Sequence, residues 1–348
     1  MLTLLSCIYW IVWSIRKKLY LTGILKVKRL PCPVISIGNI TVGGTGKTPV
    51  VIALARLLQD KVEHVVVLSR GYKRRSQSPI VVVSDENKII STPLESGDEP
   101  YLIASLLHSV RVIVGANRYD SGRYAIENFN ARLFILDDGF QHIELYRDSD
   151  ILLIDATNPT GNGHLLPKGI LREPLSEISR ADCIIISRAN EGDREYVTGL
   201  VRKYNKNSPV FYGTYKAKCF IDLNGNIHGL NYIAGKAILL FSGIGNPYSF
   251  RKSIEDIGGR VQGEIIFPDH YWYKEKDMNR IFEDAKRVSA DTILTTEKDI
   301  VRIIGTNVFN KAEDNIVILA LKVEMELSEG FEEWITGQVD RVRVEGMG

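Results

Sequence analysis

Apolar and polar positions divide the chain into a short opening segment and a long alternating remainder. From residue 34 onward, apolar runs of strand length alternate with longer patterns of helical period. Residues 34–40, 65–69, 111–115, 132–137, 151–155, 183–187 and 210–214 read as strands, and 80–83 with 88–90 as a small hairpin. Residues 48–59, 99–107, 121–128 and 192–204 read as the helices between them. The strand runs are continuously rich in Val, Ile and Leu rather than alternating, the pattern of parallel strands buried on both faces. This order of elements predicts a doubly wound α/β/α lobe. Around 216–235 the pattern changes, and two strand-like runs flank Asn224-Gly225, a strong hairpin signal. Beyond it, residues 237–241, 263–267, 291–295 and 316–321 read as strands of a second, smaller α/β/α lobe. The expected organisation is an N-terminal segment over 1–30, a larger α/β domain over 31–215, a two-stranded β linker over 216–235 and a smaller α/β domain over 236–348.

The opening segment departs from this plan. Residues 1–15 carry no charge, and their polar exceptions Thr3, Ser6 and Ser14 fall on one side of a helical wheel. Six cations follow without an acid: Arg16, Lys17, Lys18, Lys26, Lys28 and Arg29. Fifteen helical residues span about 22 Å, short of the ~30 Å hydrocarbon core. The cations follow the apolar run rather than precede it, which argues against a signal peptide. The expectation is a helix that dips into a membrane surface with its basic flank on anionic headgroups and Trp10 and Trp13 at the interface. The alternative is a helix packed on the core.

Composition changes this picture little. A length of 348 residues suits about two domains. The near balance of 44 Lys+Arg against 42 Asp+Glu speaks against a nucleic-acid-binding surface. Cys7, Cys32, Cys183 and Cys219 show no C-x-x-C spacing, so scattered buried thiols are expected rather than a zinc or redox motif.

The candidate chemistry starts after the first strand, at Gly43-Gly44-Thr45-Gly46-Lys47-Thr48 followed by a helix with Pro49 in its first turn. Glycines let backbone N–H groups approach phosphate oxygens, and the helix start adds partial positive charge. Lys47 suits the β- and γ-phosphates and Thr48 suits Mg²⁺. The usual spacing asks for Gly at Thr41, so the stretch fits a short G-G-x-G-K-[ST] variant. Switch ATPases with that variant often carry a lysine where Val42 stands.

A phosphate loop needs a carboxylate at the end of a neighbouring strand for its metal. Asp137-Asp138, after an apolar strand, supplies it and opens the polar loop Gly139-Phe140-Gln141-His142. Asp98 and Glu99 open another helix after Gly97, where a carboxylate either caps the helix or stands near phosphates. His270 ends a later strand, and Arg172 and Arg118 could balance phosphate charge.

Taken in order, these stretches make the chain similar to the tetraacyldisaccharide 4′-kinases of lipid A biosynthesis. The resemblance rests on residues 38–49, Ser69-Arg70-Gly71-Tyr72, Gly97-Asp98-Glu99-Pro100, residues 137–142, Leu166-Pro167-Lys168-Gly169, Leu171-Arg172-Glu173-Pro174, Gly243-Ile244-Gly245, Phe267-Pro268-Asp269-His270 and residues 295–299. It implies a P-loop kinase that moves the γ-phosphate of ATP, with Mg²⁺, to the 4′-hydroxyl of a lipid-linked glucosamine disaccharide 1-phosphate. It implies two α/β/α lobes joined by a two-stranded linker. It implies Asp98 as the base paired with His270, assisted by Lys47 and Arg172. Residues 41–48 (Thr41, Val42, Gly43, Gly44, Thr45, Gly46, Lys47 and Thr48) would bind nucleotide. Thr48, Glu99, Asp137 and Asp138 would hold the metal, and Asp138, Gly139, Gln141, His142 and Arg118 would meet substrate. It implies an enzyme peripheral to or anchored at the cytoplasmic face of the inner membrane, here through the N-terminal segment; a monomer without a nucleic-acid partner is expected. The competing reading is a membrane-associated P-loop switch ATPase or GTPase acting on a protein partner, which leaves Asp98, Glu99, Asp137, Asp138 and His270 unexplained.

Overall fold

The structure, a computed structural model, describes residues 1–306 and 316–345. Its strands are β1 Val34–Asn39, β2 Val65–Ser69, β3 Ile80–Ser84, β4 Arg111–Gly115, β5 Leu133–Asp137, β6 Ser149–Asp155, β7 Cys183–Ser187, β8 Val210–Asp222, β9 Ile227–His228, β10 Ala237–Ser242, β11 Arg260–Ile266, β12 Thr292–Thr296 and β13 Val317–Leu327. Its helices are α1 Leu2–Leu21, α2 Lys47–Gln59, α3 Pro93–Ser96, α4 Asp98–Leu106, α5 Arg118–Phe129, α6 Arg194–Tyr204, α7 Pro247–Asp256, α8 Glu275–Arg287, α9 Glu297–Ile304 and α10 Phe331–Glu345.

The described strands form one sheet in the order β11-β10-β12-β13-β8-β7-β6-β1-β5-β2-β4-β3, with β9 beside β8. From β8 through β4 neighbouring strands are parallel, and β3 closes that edge antiparallel. The central strands β1, β2, β5, β6 and β7 are buried along their whole length, as their unbroken apolar runs require. Helices α2, α4 and α10 cover one face through residues such as Leu54, Ile103 and Ile335, and α5 and α6 cover the other. The parallel strands β11, β10, β12 and β13 build the smaller unit, with α8 and α9 on one face and α7 on the other.

The joint between the units is longer than the sequence suggests. β8 runs on to Asp222 and pairs antiparallel with β13 from Gly213↔Leu327 to Asp222↔Leu319, with a bulge at Lys322/Val323. The hairpin at Asn224-Gly225 is there, but its ladder spans just Phe220↔His228 and Ile221↔Ile227. The partner strand of the joint is therefore β13, from the far end of the chain. Local alternation carries no signal for such a pairing.

Helix α1 docks by the face that carries Ser6, Tyr9, Trp13 and Lys17, while Thr3 of the expected polar side is exposed. Ser6 Oγ donates to the Leu165 carbonyl at 3.0 Å and accepts from the Lys168 N–H at 3.1 Å. Tyr9 donates to the Arg172 carbonyl at 2.7 Å, and Lys17 meets Glu177 at 2.6 Å. Trp13 Nε1 donates to Glu173 at 3.3 Å, so this indole faces protein rather than an interface, contrary to expectation. Leu4, Ile8, Trp10, Ile11 and Val12 are exposed. Among the described residues no helix is long and apolar enough to cross a membrane. Of the cysteines, Cys183 is buried and Cys7 is exposed; all four are free.

Candidate active site

The phosphate-loop candidate joins β1 to α2. Gly43 and Gly46 hold left-handed φ values of 111° and 93°, which side-chain-bearing residues adopt at a cost. Gly46 caps α2 without a side-chain acceptor, so the N–H groups of the first turn stay available. Neighbouring side chains pin the loop. Asn39 Nδ2 donates to Thr45 Oγ1 at 2.8 Å, and Asn39 Oδ1 accepts from Lys47 Nζ at 3.3 Å. Ser187 Oγ donates to the Thr45 carbonyl at 2.8 Å. Arg188, which also pairs with Asp155, donates to the Gly44 carbonyl at 3.0 Å. This is a preformed cradle for an anion.

Beside it, β5 delivers Asp137, which accepts from Ser69 Oγ at 2.9 Å. Burial, with the negative charges of Glu99 and Asp138, pushes its carboxyl up to about 6. Asp138 has φ 54°, so the chain turns sharply and the two carboxylates part. Arg172 Nη1 meets both Asp138 oxygens at 3.0 and 2.8 Å, and Lys47 Nζ stands 3.5 Å away. Burial raises Asp138, yet the Lys47 and Arg172 charges hold it below the usual carboxylate range. Glu99 is ion-paired with Lys298 of α9.

A second cluster forms across the two units. Asp98, the first residue of α4, receives His270 Nδ1 at 2.9 Å and Arg302 Nε at 2.6 Å on one oxygen. The Glu99 N–H reaches its other oxygen at 2.9 Å. Burial opposes the charge on Asp98, but the His270 hydrogen bond and the Arg302 charge keep it well below the ordinary range. Arg302 is fully buried and also donates to the Gly243 carbonyl at 2.6 Å and to Asp299 Oδ1 at 2.9 Å. Asp299 further accepts from the Gly243 N–H and the Tyr273 hydroxyl. Sequence reasoning missed Arg302. Its signal was a lone cation inside the apolar run Ile300-Val301-Arg302-Ile303-Ile304.

One cavity of about 1220 Å³ joins these clusters. Val42, residues 43–48, Asp98, Glu99, Arg118, Asp137, Asp138, Gln141, His142, Arg172 and His270 all line it, as do Tyr9 and Arg16 of α1. Two expected positions do not line it. Thr41 is buried beside Asn39 and bridges to Leu171. At Gly139 a Cβ would meet Leu136 and Ser36 at 2.7 Å, so this residue serves the turn behind the cavity. Gln141 binds the Asn39 carbonyl at 2.8 Å and steadies the loop. Among the described residues, no three His, Cys, Asp or Glu side chains converge as a ready metal shell. Mg²⁺ needs no such shell, because one or two carboxylates suffice when phosphates and water complete it. The mutual repulsion around Asp137, together with the Thr48 position at the start of α2, suits a cation there.

A glycine-rich loop between a buried strand and a helix, adjacent carboxylates and an Asp–His pair on one cavity are the parts of a nucleotide-dependent phosphotransferase. The family described as tetraacyldisaccharide-1-P 4′-kinase matches residues 1–340, and the chain belongs to it. Relatives named tetraacyldisaccharide 4′-kinase include one from Syntrophus aciditrophicus, 42% identical over 313 residues covering 87% of this chain and 84% of the relative. Another, from Aquifex aeolicus, is 38% identical over 324 residues covering 93% and 94%. A crystal structure described as the apo form of LpxK from Aquifex aeolicus in complex with ATP is similar with TM-score 0.75 and 35% identity, over 97% of each chain. The switch-ATPase reading finds no support among these relatives.

Proposed function

We propose that this chain is an ATP- and Mg²⁺-dependent kinase that phosphorylates the 4′-hydroxyl of a tetraacyl glucosamine disaccharide 1-phosphate in lipid A biosynthesis. The observation that carries the reading is Asp98, held by His270, on the same cavity as the phosphate cradle. Residues 43–48 bind the triphosphate, with Lys47 on its outer phosphates. Thr48 and Asp137 or Asp138 hold Mg²⁺, with Glu99 close by. The bound cation supplies charge neutralisation at the β- and γ-phosphates. Arg172, held on Asp138, balances charge at the transferring group.

Asp98 accepts the proton of the sugar hydroxyl at its less crowded oxygen. His270 orients it, and Arg302 keeps it ionised. The low basicity of Asp98 is tolerable, because phosphoryl transfer depends on positioning and electrostatics more than on deprotonation in advance. The two α/β units, over 31–215 and 236–348, exclude water between them when the site is filled.

The exposed apolar face of α1 supports a further reading, that a monomer lies on the cytoplasmic surface of the inner membrane beside its lipid acceptor. Replacing Leu4, Ile8 and Ile11 by Ser should then release the protein from anionic vesicles; unchanged binding would remove α1 from that role. The kinase reading is tested with γ-labelled ATP and the acceptor in detergent. A labelled lipid is expected, and ATP hydrolysis without labelled lipid would overturn it.

A further inference from the structure

Residues 156–174 carry Arg172 to the cavity without a helix or strand of their own. Fixing so long an irregular stretch costs backbone entropy, which contacts from outside must offset. Part of the stretch leans on the end of β1. The Arg172 N–H donates to the Ile40 carbonyl at 2.7 Å, and the Val42 N–H donates to the Ile170 carbonyl at 2.8 Å. The rest is held by α1. Ser6, Tyr9, Trp13 and Lys17 follow one another at steps of three and four residues and so share one face of the helix. In the same order they meet Leu165 with Lys168, then Arg172, Glu173 and Glu177. The helix lies along the segment as a splint.

At Arg172 this support meets the chemistry. Its N–H is tied to the end of β1, and its carbonyl accepts from the Tyr9 hydroxyl at 2.7 Å. One main-chain group is thus fixed by the sheet and the other by α1. The side chain leaves that fixed point for Asp138, with the Gln141 side-chain oxygen at 3.4 Å from the same Nη1. A long side chain is placed no better than the backbone that bears it, and a misplacement of about 1 Å near a reacting group can cost on the order of 10²-fold in rate.

Tyr9 suits this task. It is half-buried between the exposed Ile8 and Trp10. Burial, then the negative charge of Glu173, raises its pKa, so the hydroxyl keeps its proton and stays a donor. A second contact from the same helix, Arg16 to the Gln141 carbonyl at 3.4 Å, reaches the residue that shares Arg172 with Asp138.

We propose that Tyr9 is a positioning residue of the kinase. Its hydroxyl fixes the main chain of Arg172, and through it α1 sets the guanidinium that balances charge on the transferring phosphoryl group. The assignment rests on the kinase reading above. It gives α1 a part in turnover that is separate from any contact with a membrane.

The test is steady-state kinetics in detergent, with γ-labelled ATP and the tetraacyl disaccharide 1-phosphate, on Tyr9→Phe, Arg172→Gln and the double variant. Tyr9→Phe keeps the ring and removes one hydrogen bond, so the fold and the docking of α1 should persist. Its kcat should fall about three- to tenfold, the size of one hydrogen bond, with KM for each substrate within about twofold of native. Added to Arg172→Gln, the same substitution should change kcat by less than about twofold, because the guanidinium it places is already gone. Ser6→Ala removes bonds on the same face that do not reach Arg172, and its kcat should stay within about twofold of native. Native kcat in Tyr9→Phe, or a double variant whose loss is the product of the single losses, would overturn the proposal. An unchanged kcat with a raised KM for the lipid would also overturn it, making Tyr9 a contact of the acceptor instead. Equal falls in kcat for Tyr9→Phe and Ser6→Ala would assign the effect to docking of the helix as a whole and reject the role of this bond. A native enzyme that labels no lipid would refute the kinase reading and the inference with it, a result distinct from the others.

Discussion

The two sides of the cavity are built in different ways. The phosphate side is local. Six consecutive residues, from the end of the β1–α2 loop into the first turn of α2, form it, and Asn39 braces it through Thr45 and Lys47. The proton side is assembled at long range. Asp98 meets a histidine 172 residues away and an arginine 204 residues away, and both come from the smaller unit. The Glu99–Lys298 pair crosses the same boundary. A cradle of backbone amides depends on the conformation of one loop. A carboxylate shared between two units depends on how those units stand. On the proposed reading, binding of nucleotide and readiness for proton transfer should therefore be separable.

Substitutions should expose that difference. Lys47→Ala attacks the local side and should lower kcat by about 10³- to 10⁵-fold, the range for one cation on a transferring phosphoryl group. Its thermal melting should stay near that of the native chain. Retained turnover would show that the loop does not hold the triphosphate. Asp98→Asn attacks the other side and should lower kcat by about 10²- to 10⁴-fold with little change in KM for ATP.

Arg302→Met should cost stability as well as turnover. It leaves Asp98 and Asp299 buried without their shared cation, a loss of about 3–5 kcal/mol. Arg302→Lys should recover part of both kcat and melting temperature. A methionine variant that melts like the native chain would break the view that this side also ties the units together.

The smallest effect is expected at Glu297, five residues before Arg302 at the start of α9. Burial, opposed by the Val323 N–H and the Lys322 charge, pushes its carboxyl up to about 7. A folded-state value above the ordinary ~4.3 means that the folded protein favours the neutral acid. Its contribution to stability is therefore full below that ordinary value and falls as pH rises towards about 7. Glu297→Gln should raise the melting temperature at pH 8 and leave it nearly unchanged at pH 4, with a gain on the order of 1 kcal/mol.

The same contrast governs what could be read from the amino-acid order. The cradle was legible because strand, glycines, Lys47-Thr48 and helix are contiguous, and the buried parallel strands announced themselves by unbroken apolar runs. Asp98 and His270 became a pair through family resemblance, since nothing in their spacing brings them together. Arg302 stayed hidden because an arginine on an amphipathic helix ordinarily points to water. Here a carboxylate from the other unit and the Gly243 turn complete its hydrogen bonds. The hairpin at Asn224-Gly225 was legible, but the longer ladder of the joint was not, as β8 pairs there with a strand from the far end of the chain. In α1 the helical wheel groups Thr3, Ser6 and Ser14, but of these Ser6 alone lies on the docking face with Tyr9, Trp13 and Lys17. The sequence could not say that this face would meet Leu165, Arg172 and Glu177, or that Trp13 would turn inward to Glu173.

The central claim is that Asp98 and His270 work as one unit across the boundary between the two halves. A double-substitution cycle on kcat tests it most directly, using Asp98→Asn, His270→Gln and the double variant with the 1-phosphate acceptor. Residues acting as a unit are strongly non-additive. If the two act as one unit, adding His270→Gln to Asp98→Asn lowers kcat by less than about twofold further, whereas independent sites would multiply their losses. A double variant whose loss equals the product of the two single losses would contradict it.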